Sequence, residues 1–237
     1  MKIVLTKKPK NPTIIEAFPG FGLVGTIAAE FLIDHLMTEQ IGKIWFPEMP
    51  AMTAIHNEKL VEPMGIFYNK KHNLVIIHVV TNAQGVEWKI SDTLLDLAKQ
   101  LKAKEIISLE GVGSPEGSNE SRSFYYSNNE KSKSKFKKLG MNPLKEGIIM
   151  GVTSALMLKV DSIVTMSCIF AETHSQLPDS KAAAKVIEAL DKYLNLKVDT
   201  KPLLKTAEKF EAKLKGMMSE AGKTQKEQDK KQLSYLG

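Results

Sequence analysis

The chain has 237 residues, of which 43% are hydrophobic, and this suits one large domain or one domain with an appendage. No apolar run is long enough to span a bilayer, and the N-terminal residues lack the apolar core and cleavage site of a signal peptide. Cys168 is the only cysteine, so no internal disulfide is possible. We therefore expect a cytoplasmic protein that has no membrane partner.

The net charge is +6 and the isoelectric point is about 9.1, a balance that can indicate nucleic-acid binding. Nearly all the basic residues are lysines, however, and Arg122 is the only arginine. The planar guanidinium group of arginine is the usual tool for binding phosphates and bases, and the lysines here are scattered along the chain. We expect a solvated, lysine-rich surface and no nucleic-acid partner.

Predicted strands and helices alternate along most of the chain. Strands are predicted near the N-terminus and at 14–18, 41–46, 51–56, 65–68, 73–80, 105–109, 122–127 and 162–170, and helices at 27–37, 88–101, 131–139, 147–158 and 179–194. Segment 73–80 is a continuous apolar run, which is typical of a central strand, and segments 51–56 and 65–68 are predicted to pair as a hairpin or meander. The alternation predicts an α/β fold, a three-layer sandwich with a mostly parallel but mixed central sheet.

The C-terminal region differs from this core, which we assign to residues 1–200. Apolar residues over 201–222 recur in alternating steps of four and three, and this heptad pattern predicts a helix that needs a partner surface: Leu203, Ala207, Phe210, Leu214, Met217 and Ala221. Residues 223–232 are polar, and Leu233, Tyr235 and Leu236 follow close to the end. The pattern predicts a flexible docking tail over 223–237, with a frayed terminus as the alternative.

A glycine-rich turn lies between the strand at 14–18 and the first helix. Gly20, Gly22 and Gly25 have the spacing of the dinucleotide-binding fingerprint, in which a pyrophosphate lies at the helix N-terminus. The acid that would bind the ribose is missing at its usual distance, and Phe18 and Phe21 flank the first glycines. The alternative is a structural turn in which the glycines allow the helix to pack closely on the sheet.

Three polar residues at predicted strand ends form a candidate acid–base set. Glu110 ends one strand, and Glu172 and His174 follow another, so the three side chains could share a cleft. The histidines have no metal-ligand spacing, and the chain has neither a nucleophile elbow nor a P-loop, so we expect no metal and no cofactor. Cys168 lies in an apolar strand, which indicates a buried and inert thiol.

Three segments together resemble the proteasome assembly chaperone family, of the second-chaperone type and its archaeal relatives. They are the glycine turn, the small and apolar run at 147–158, and the stretch that contains Asp179, Ala182, Ala183, Ala184, Leu190, Leu196 and Asp199. The resemblance covers most of residues 12–215. It implies a nucleoside-phosphorylase-like α/β core without established catalysis, a homo-oligomer, and binding to the α-subunit ring of the proteasome core particle.

The resemblance also implies a role for the tail. Some archaeal relatives carry a C-terminal hydrophobic–tyrosine–any-residue signal that inserts into pockets between α subunits. Here Ser234 precedes Tyr235, and the tyrosine is third from last instead of second from last. The partner-binding residues implied in this chain are Leu233, Tyr235, Leu236 and Gly237, and several tails on one oligomer would act through avidity.

The leading hypothesis is therefore a non-enzymatic, homo-oligomeric protein that docks on proteasome α subunits. The alternative is a phosphorylase- or hydrolase-like enzyme that binds a nucleotide or nucleoside near the turn at 20–25.

Overall fold

A computed structural model describes residues 2–48, 53–56, 58–81, 83–113, 122–160, 164–173, 177–205 and 216. The strands are β1 (Lys2–Leu5), β2 (Thr13–Ala17), β3 (Glu39–Trp45), β4 (Ala54–His56), β5 (Lys59–Val61), β6 (Met64–Asn69), β7 (Leu74–Val79), β8 (Glu105–Gly113), β9 (Ser123–Ser127), β10 (Asn142–Pro143) and β11 (Thr165–Thr173). The helices are α1 (Val24–His35), α2 (Glu87–Leu101), α3 (Glu130–Lys138), α4 (Gly151–Lys159) and α5 (Ser180–Leu194). Residues 201–205 are also helical.

In the described part of the chain, nine strands form one sheet in the order β1-β3-β6-β7-β2-β8-β11-β9-β10. The four central strands, β7, β2, β8 and β11, run parallel to one another. Antiparallel pairs flank this centre, from β6 through β3 to β1 on one side and from β11 to β9 on the other. The predicted α/β fold with a mixed sheet is confirmed.

The helices cover both faces of the sheet and make the predicted three layers. Helices α1, α3 and α5 pack on one face, and α2 and α4 pack on the other. Because successive strand side chains point to opposite faces, β2 contributes Ile15 and Ala17 to the first core and Ile14 to the second. Every residue of β7 is buried, as its continuous apolar sequence predicts.

Several predicted bounds differ from the structure. Strand β8 continues to Gly113 and β11 to Thr173, so Glu110 and Glu172 lie within these strands and not after them. Helix α4 begins at Gly151, and residues 147–150 are not helical, although the apolar run suggested a helix from 147. Met150 is extended and Gly151 has a φ of +76°, a left-handed conformation that glycine adopts readily, so the helix cannot extend backwards through this pair. The predicted pairing of segments 51–56 and 65–68 is also wrong, because β4 pairs with β5 in a separate hairpin, whereas β6 lies in the main sheet.

The C-terminal predictions fall mostly beyond the described residues. Leu203, the first position of the heptad pattern, is fully buried in the core beneath α1 and α5. Residues 206–215 and 217–237, which contain the rest of the pattern and the tail, lie outside the described residues.

A buried carboxyl group joins the helices to the sheet near the start of β8. Glu105 accepts hydrogen bonds from Ser167 Oγ at 2.5 Å, from Tyr193 Oη at 3.0 Å and from Ser132 Oγ at 3.3 Å. These donors belong to β11, α5 and α3, so one side chain ties three elements to β8. Burial raises the pKa of Glu105, and it raises the pKa of Tyr193 to about 12.

Replacing Tyr193 with phenylalanine is expected to lower the free energy of unfolding by about 1–2 kcal/mol, because it removes a donor from a buried carboxyl group without changing the aromatic packing on Phe136. Urea denaturation followed by circular dichroism measures the change. Tyr126→Phe, at a more exposed position, is the matched control and should be close to neutral. Equal stabilities of the two variants would contradict the proposed tie.

Candidate functional site

A cluster of polar side chains lies beside the carboxyl end of β2, and Glu110 is half-buried whereas the other members are buried. Its members are Glu16 on β2, Ser108 and Glu110 on β8, and Thr153 in the first turn of α4. Thr153 Oγ1 lies 2.6 Å from Glu110 Oε1, 2.8 Å from Ser108 Oγ and 3.1 Å from Glu16 Oε1. One hydroxyl group therefore bridges two carboxyl groups from neighbouring strands.

The two carboxyl groups have strongly altered acidity. Burial raises the pKa of Glu16 to about 7, although hydrogen bonds from Ser108 and Thr153 oppose the change. Burial, together with the charge of Glu16, raises the pKa of Glu110 to about 8. Groups with such altered pKa values at the carboxyl ends of parallel strands are typical of functional sites, but structural networks produce them too.

Glu16→Gln is expected to make the protein more stable at neutral and alkaline pH. The folded-state pKa of Glu16 lies above its ordinary value of 4.5, so the wild type loses stability as pH rises from about 4.5 to about 7. Above pH 7, its free energy of unfolding stays at this reduced value. A neutral amide does not titrate, and the gain relative to wild type should grow by about 3 kcal/mol across this window. Urea denaturation at pH 5, 6, 7 and 8 measures it.

The control for this prediction is Glu146→Gln, which removes the same charge at an exposed position. Its stability difference from wild type should stay nearly constant over the same pH range. A Glu16→Gln difference that is equally flat would mean that Glu16 titrates normally in the folded protein, contrary to its burial.

The glycine turn lies directly against this cluster. A Cβ atom built on Gly20 would lie 2.6 Å from Glu110 Oε2, and one on Gly22 would lie 2.8 Å from Thr173 Oγ1. Gly22 also has a φ of +65°, and a Cβ on Gly25 would collide with the backbone carbonyl oxygen of Leu109. Side-chain and backbone atoms of β8 and β11 thus occupy the space beside each glycine. This close packing accounts for the glycines without a ligand.

The geometry does not favour a phosphate at the turn. Glu110 is a carboxyl group beside Gly20, and any ionised fraction of it repels an anion. Phe18, which flanks the glycines, is buried in the core under α2 and α4. Packing in this core therefore explains an aromatic residue beside the turn.

Glu172, the second predicted acid, has a different partner from Glu110. Arg122 Nε donates to Glu172 Oε2 at 2.9 Å, and Arg122 Nη2 donates to Glu172 Oε1 at 2.6 Å. This bidentate geometry is typical of strong arginine–carboxylate pairs. At the next residue, Thr173 Oγ1 donates to Asp179 Oδ2 at 2.8 Å, and Asp179 caps the start of α5. The end of β11 is therefore held by two structural contacts.

The predicted acid–base set is only partly assembled. Glu110 and Glu172 lie on the same face of neighbouring strands, but Glu110 interacts with Thr153 and Glu172 with Arg122. His174 lies outside the described residues. Sequence reasoning missed Glu16 and Thr153, which are the partners that Glu110 has. A lone acid within the apolar run of β2 was the available signal for Glu16, because ionisable groups are rarely buried unless paired.

Neither a metal site nor a membrane segment is found in the described ranges. No group of three or more histidine, cysteine, aspartate or glutamate side chains there could hold a metal ion. No helix in the same part of the chain combines the length and the apolar character needed to cross a bilayer. Cys168 is buried, and burial with its acidic neighbours raises its thiol pKa well above the ordinary value. That pKa is the opposite of what a reactive cysteine requires.

Comparison with known proteins shows similarity along nearly the whole chain. A model of the PAC2 family matches residues 14–218. A protein of Methanocaldococcus jannaschii is 26% identical over 228 residues, which cover 96% of this chain and 94% of that protein. The region that the PAC2 family model matches includes the glycine turn, both carboxyl groups of the cluster and Thr153.

Two solved structures are similar at comparable lengths. Pyrococcus furiosus PbaA, an archaeal homolog of proteasome-assembly chaperone, has a TM-score of 0.85 and 29% identity, and the alignment covers 94% of this chain and 99% of that chain. Pyrococcus furiosus PbaB, an archaeal proteasome activator, has a TM-score of 0.73 and 25% identity, with 92% and 98% covered. The fold described above is shared with both proteins.

Proposed function

The chain belongs to the PAC2 family, and from this membership we propose that it is a homo-oligomeric, proteasome-assembly-chaperone-like protein that binds the α-subunit ring of the proteasome core particle. The observation that carries the proposal is the similarity to PbaA, which extends over nearly the full length of both chains. PbaB, a proteasome activator, has the same fold, so the stated roles of these two relatives both involve the proteasome.

Exposed apolar side chains around α4 support self-association. Ile148, Met150 and Leu158 have 89%, 78% and 71% of their surface exposed, and Trp88 on α2 is about half exposed. Exposed apolar side chains that lie close together often mark a surface that another protein covers. Val152 and Leu156 of α4 are buried against the sheet, so α4 carries apolar side chains on both its inner and outer sides. A helix that is apolar all round is normally buried in an assembly or a larger core.

The tail is the second part of the proposal. Residues 223–237 are proposed to reach the α subunits, with Leu233, Tyr235, Leu236 and Gly237 as the contacting residues. Their sequence supports this role, because a polar tether of ten residues precedes a short apolar end. We also propose that the protein acts in the cytoplasm and has no nucleic-acid partner, in keeping with its single arginine.

Catalysis is not part of the proposed function. The close packing beneath the glycine turn and the pairing of Glu172 with Arg122 favour structural roles for these residues. The buried pair Glu16 and Glu110 is the feature that would favour the alternative, a phosphorylase- or hydrolase-like enzyme.

The direct test is to mix the purified protein with archaeal proteasome α subunits and to measure the masses of the species by native mass spectrometry. We expect a defined co-complex, from which both the oligomer size and the stoichiometry follow. If only the separate oligomers appear, the proteasome proposal fails. A thermal-shift screen with nucleotides and nucleosides would then test the enzyme alternative, for which a specific shift is required.

A further inference from the structure

The buried cluster contains more hydrogen-bond contacts than its hydroxyl protons can supply. Thr153 Oγ1 lies within 3.1 Å of three oxygen atoms, on Glu16, Ser108 and Glu110. A threonine hydroxyl has one proton to donate and otherwise only accepts. If Thr153 donates to one carboxyl oxygen and Ser108 donates to Thr153, the contact between Thr153 and the other carboxyl oxygen has no hydroxyl proton. That contact is a hydrogen bond only when the carboxyl group carries a proton.

A second observation also indicates a bound proton. Glu16 is fully buried, and its Oε2 atom has no hydrogen-bond partner among the residues that the structure describes. An ionised carboxylate with an unpartnered buried oxygen is costly, and a second ionised carboxylate at Glu110 would add direct repulsion. Both costs are avoided when at least one of the two carboxyl groups is protonated.

The cluster is also the side-chain tie that holds the start of α4. The N-cap residue, Met150, makes no side-chain capping hydrogen bond, and Gly151 has no side chain. Thr153 is the first residue of the helix whose side chain hydrogen-bonds to the sheet. The exposed residues Ile148 and Met150 lie immediately before this point.

We propose that Glu16, Glu110 and Thr153 form a proton-dependent latch, in which one proton shared by the two carboxyl groups holds the N-terminus of α4 on strands β2 and β8, and loss of that proton releases this helix end. Release changes the position of the exposed apolar segment before α4. Glu110 also lies against Gly20, so the same event loosens the contact between β8 and the glycine turn.

Within the described part of the chain, the other titratable groups near the pair do not replace this proton. Cys168 on β11 is the buried neighbour whose thiol pKa is raised by burial and, to a smaller extent, by the two glutamates, and it therefore stays neutral throughout the relevant pH range. Glu172, on the same face of β11, is paired with Arg122. Thr153 and Val152 of α4 and Ile90, Leu94 and Leu97 of α2 contribute no charge.

The test is hydrogen–deuterium exchange of the intact protein, followed by mass spectrometry of peptides covering 148–157. After correction for the intrinsic exchange rate, protection should be constant up to about pH 6 and should fall by at least about tenfold between pH 6 and 9, since one pKa unit corresponds to a factor of ten. Peptides covering β3, which is separated from β2 by β6 and β7 in the sheet, should not show this fall.

Three variants distinguish the latch from general instability at high pH. Glu16→Gln and Glu110→Gln each replace one carboxyl group with an amide, whose NH2 group donates to Thr153 at every pH, so the fall in protection should shrink to less than about threefold. Thr153→Val removes the bridging hydroxyl group at constant shape, so rapid exchange should already be present at pH 6. Glu146→Gln, the exposed control, should behave as wild type. A wild-type pH response in both glutamine variants would overturn the proposal.

An infrared measurement on the folded wild type keeps the test independent of how well the variants fold. The spectrum at pH 7 should contain a protonated carboxyl band that disappears by about pH 9. Absence of this band at pH 6 would overturn the proposal. A thermal stabilisation by Mg²⁺ or Ca²⁺ at pH 8 that Glu16→Gln abolishes would also overturn it, because the pair would then be a cation site.

Discussion

Removal of residues 223–237 is expected to abolish the proposed binding to proteasome α subunits and to leave the proposed homo-oligomer intact. The exposed apolar side chains around α4, which we propose for self-association, lie outside the deleted segment. Each tail alone would bind weakly, but several tails on one oligomer raise the avidity by a factor of about 10²–10⁴. We therefore expect an affinity loss of at least about a hundredfold, measured by native mass spectrometry and by surface-immobilised α subunits.

Two substituted tails separate apolar contacts from charge. Leu233→Ser, Tyr235→Ser and Leu236→Ser in one variant should reproduce the deletion. Lys226→Ser, Lys230→Ser and Lys231→Ser in a second variant change the same number of residues and leave the apolar end intact, so binding should fall only slightly at physiological salt. Unchanged binding after the full deletion would show that the core alone contacts the partner.

The centre of the sheet could be predicted from the sequence because its signals are local. Segment 74–79 is apolar at every position except His78, and such a run has few alternatives to a strand buried on both faces. In the same way, the periodic apolar positions of α2 and α5 predicted which face of each helix packs against the sheet. These features depend on neighbours along the chain, which the sequence contains directly.

The cluster at Glu16 could not be predicted in this way, because it depends on strand register. Glu16 lies beside Ser108 in the pairing of β2 with β8, and a shift of one residue would point either side chain to the opposite face. Thr153 reaches the pair from a helix 43 residues beyond Glu110. The helix start at Gly151 likewise depends on a backbone angle that an apolar run of residues does not reveal.

Gly25→Ala is expected to destabilise the protein by about 3 kcal/mol, although the same substitution stabilises most helices. Alanine is favoured over glycine in a helix by about 1 kcal/mol, and Gly25 lies in the first turn of α1. Here the added Cβ would collide with the carbonyl oxygen of Leu109 and touch Ala17 at 3.4 Å. Leu109 belongs to β8, which is paired on both sides, so neither the strand nor the helix can move without breaking other contacts.

Gly113→Ala is the matched control for this collision. Gly113 lies at the end of β8, and none of the described atoms lies within 4 Å of a Cβ built there. Its effect on the free energy of unfolding should stay within about 0.5 kcal/mol, as for most surface substitutions. Urea denaturation of both variants at pH 6 measures the difference. If Gly25→Ala were as stable as Gly113→Ala, α1 would have room to move away from β8, and the glycine would need another explanation, such as a ligand that approaches the turn.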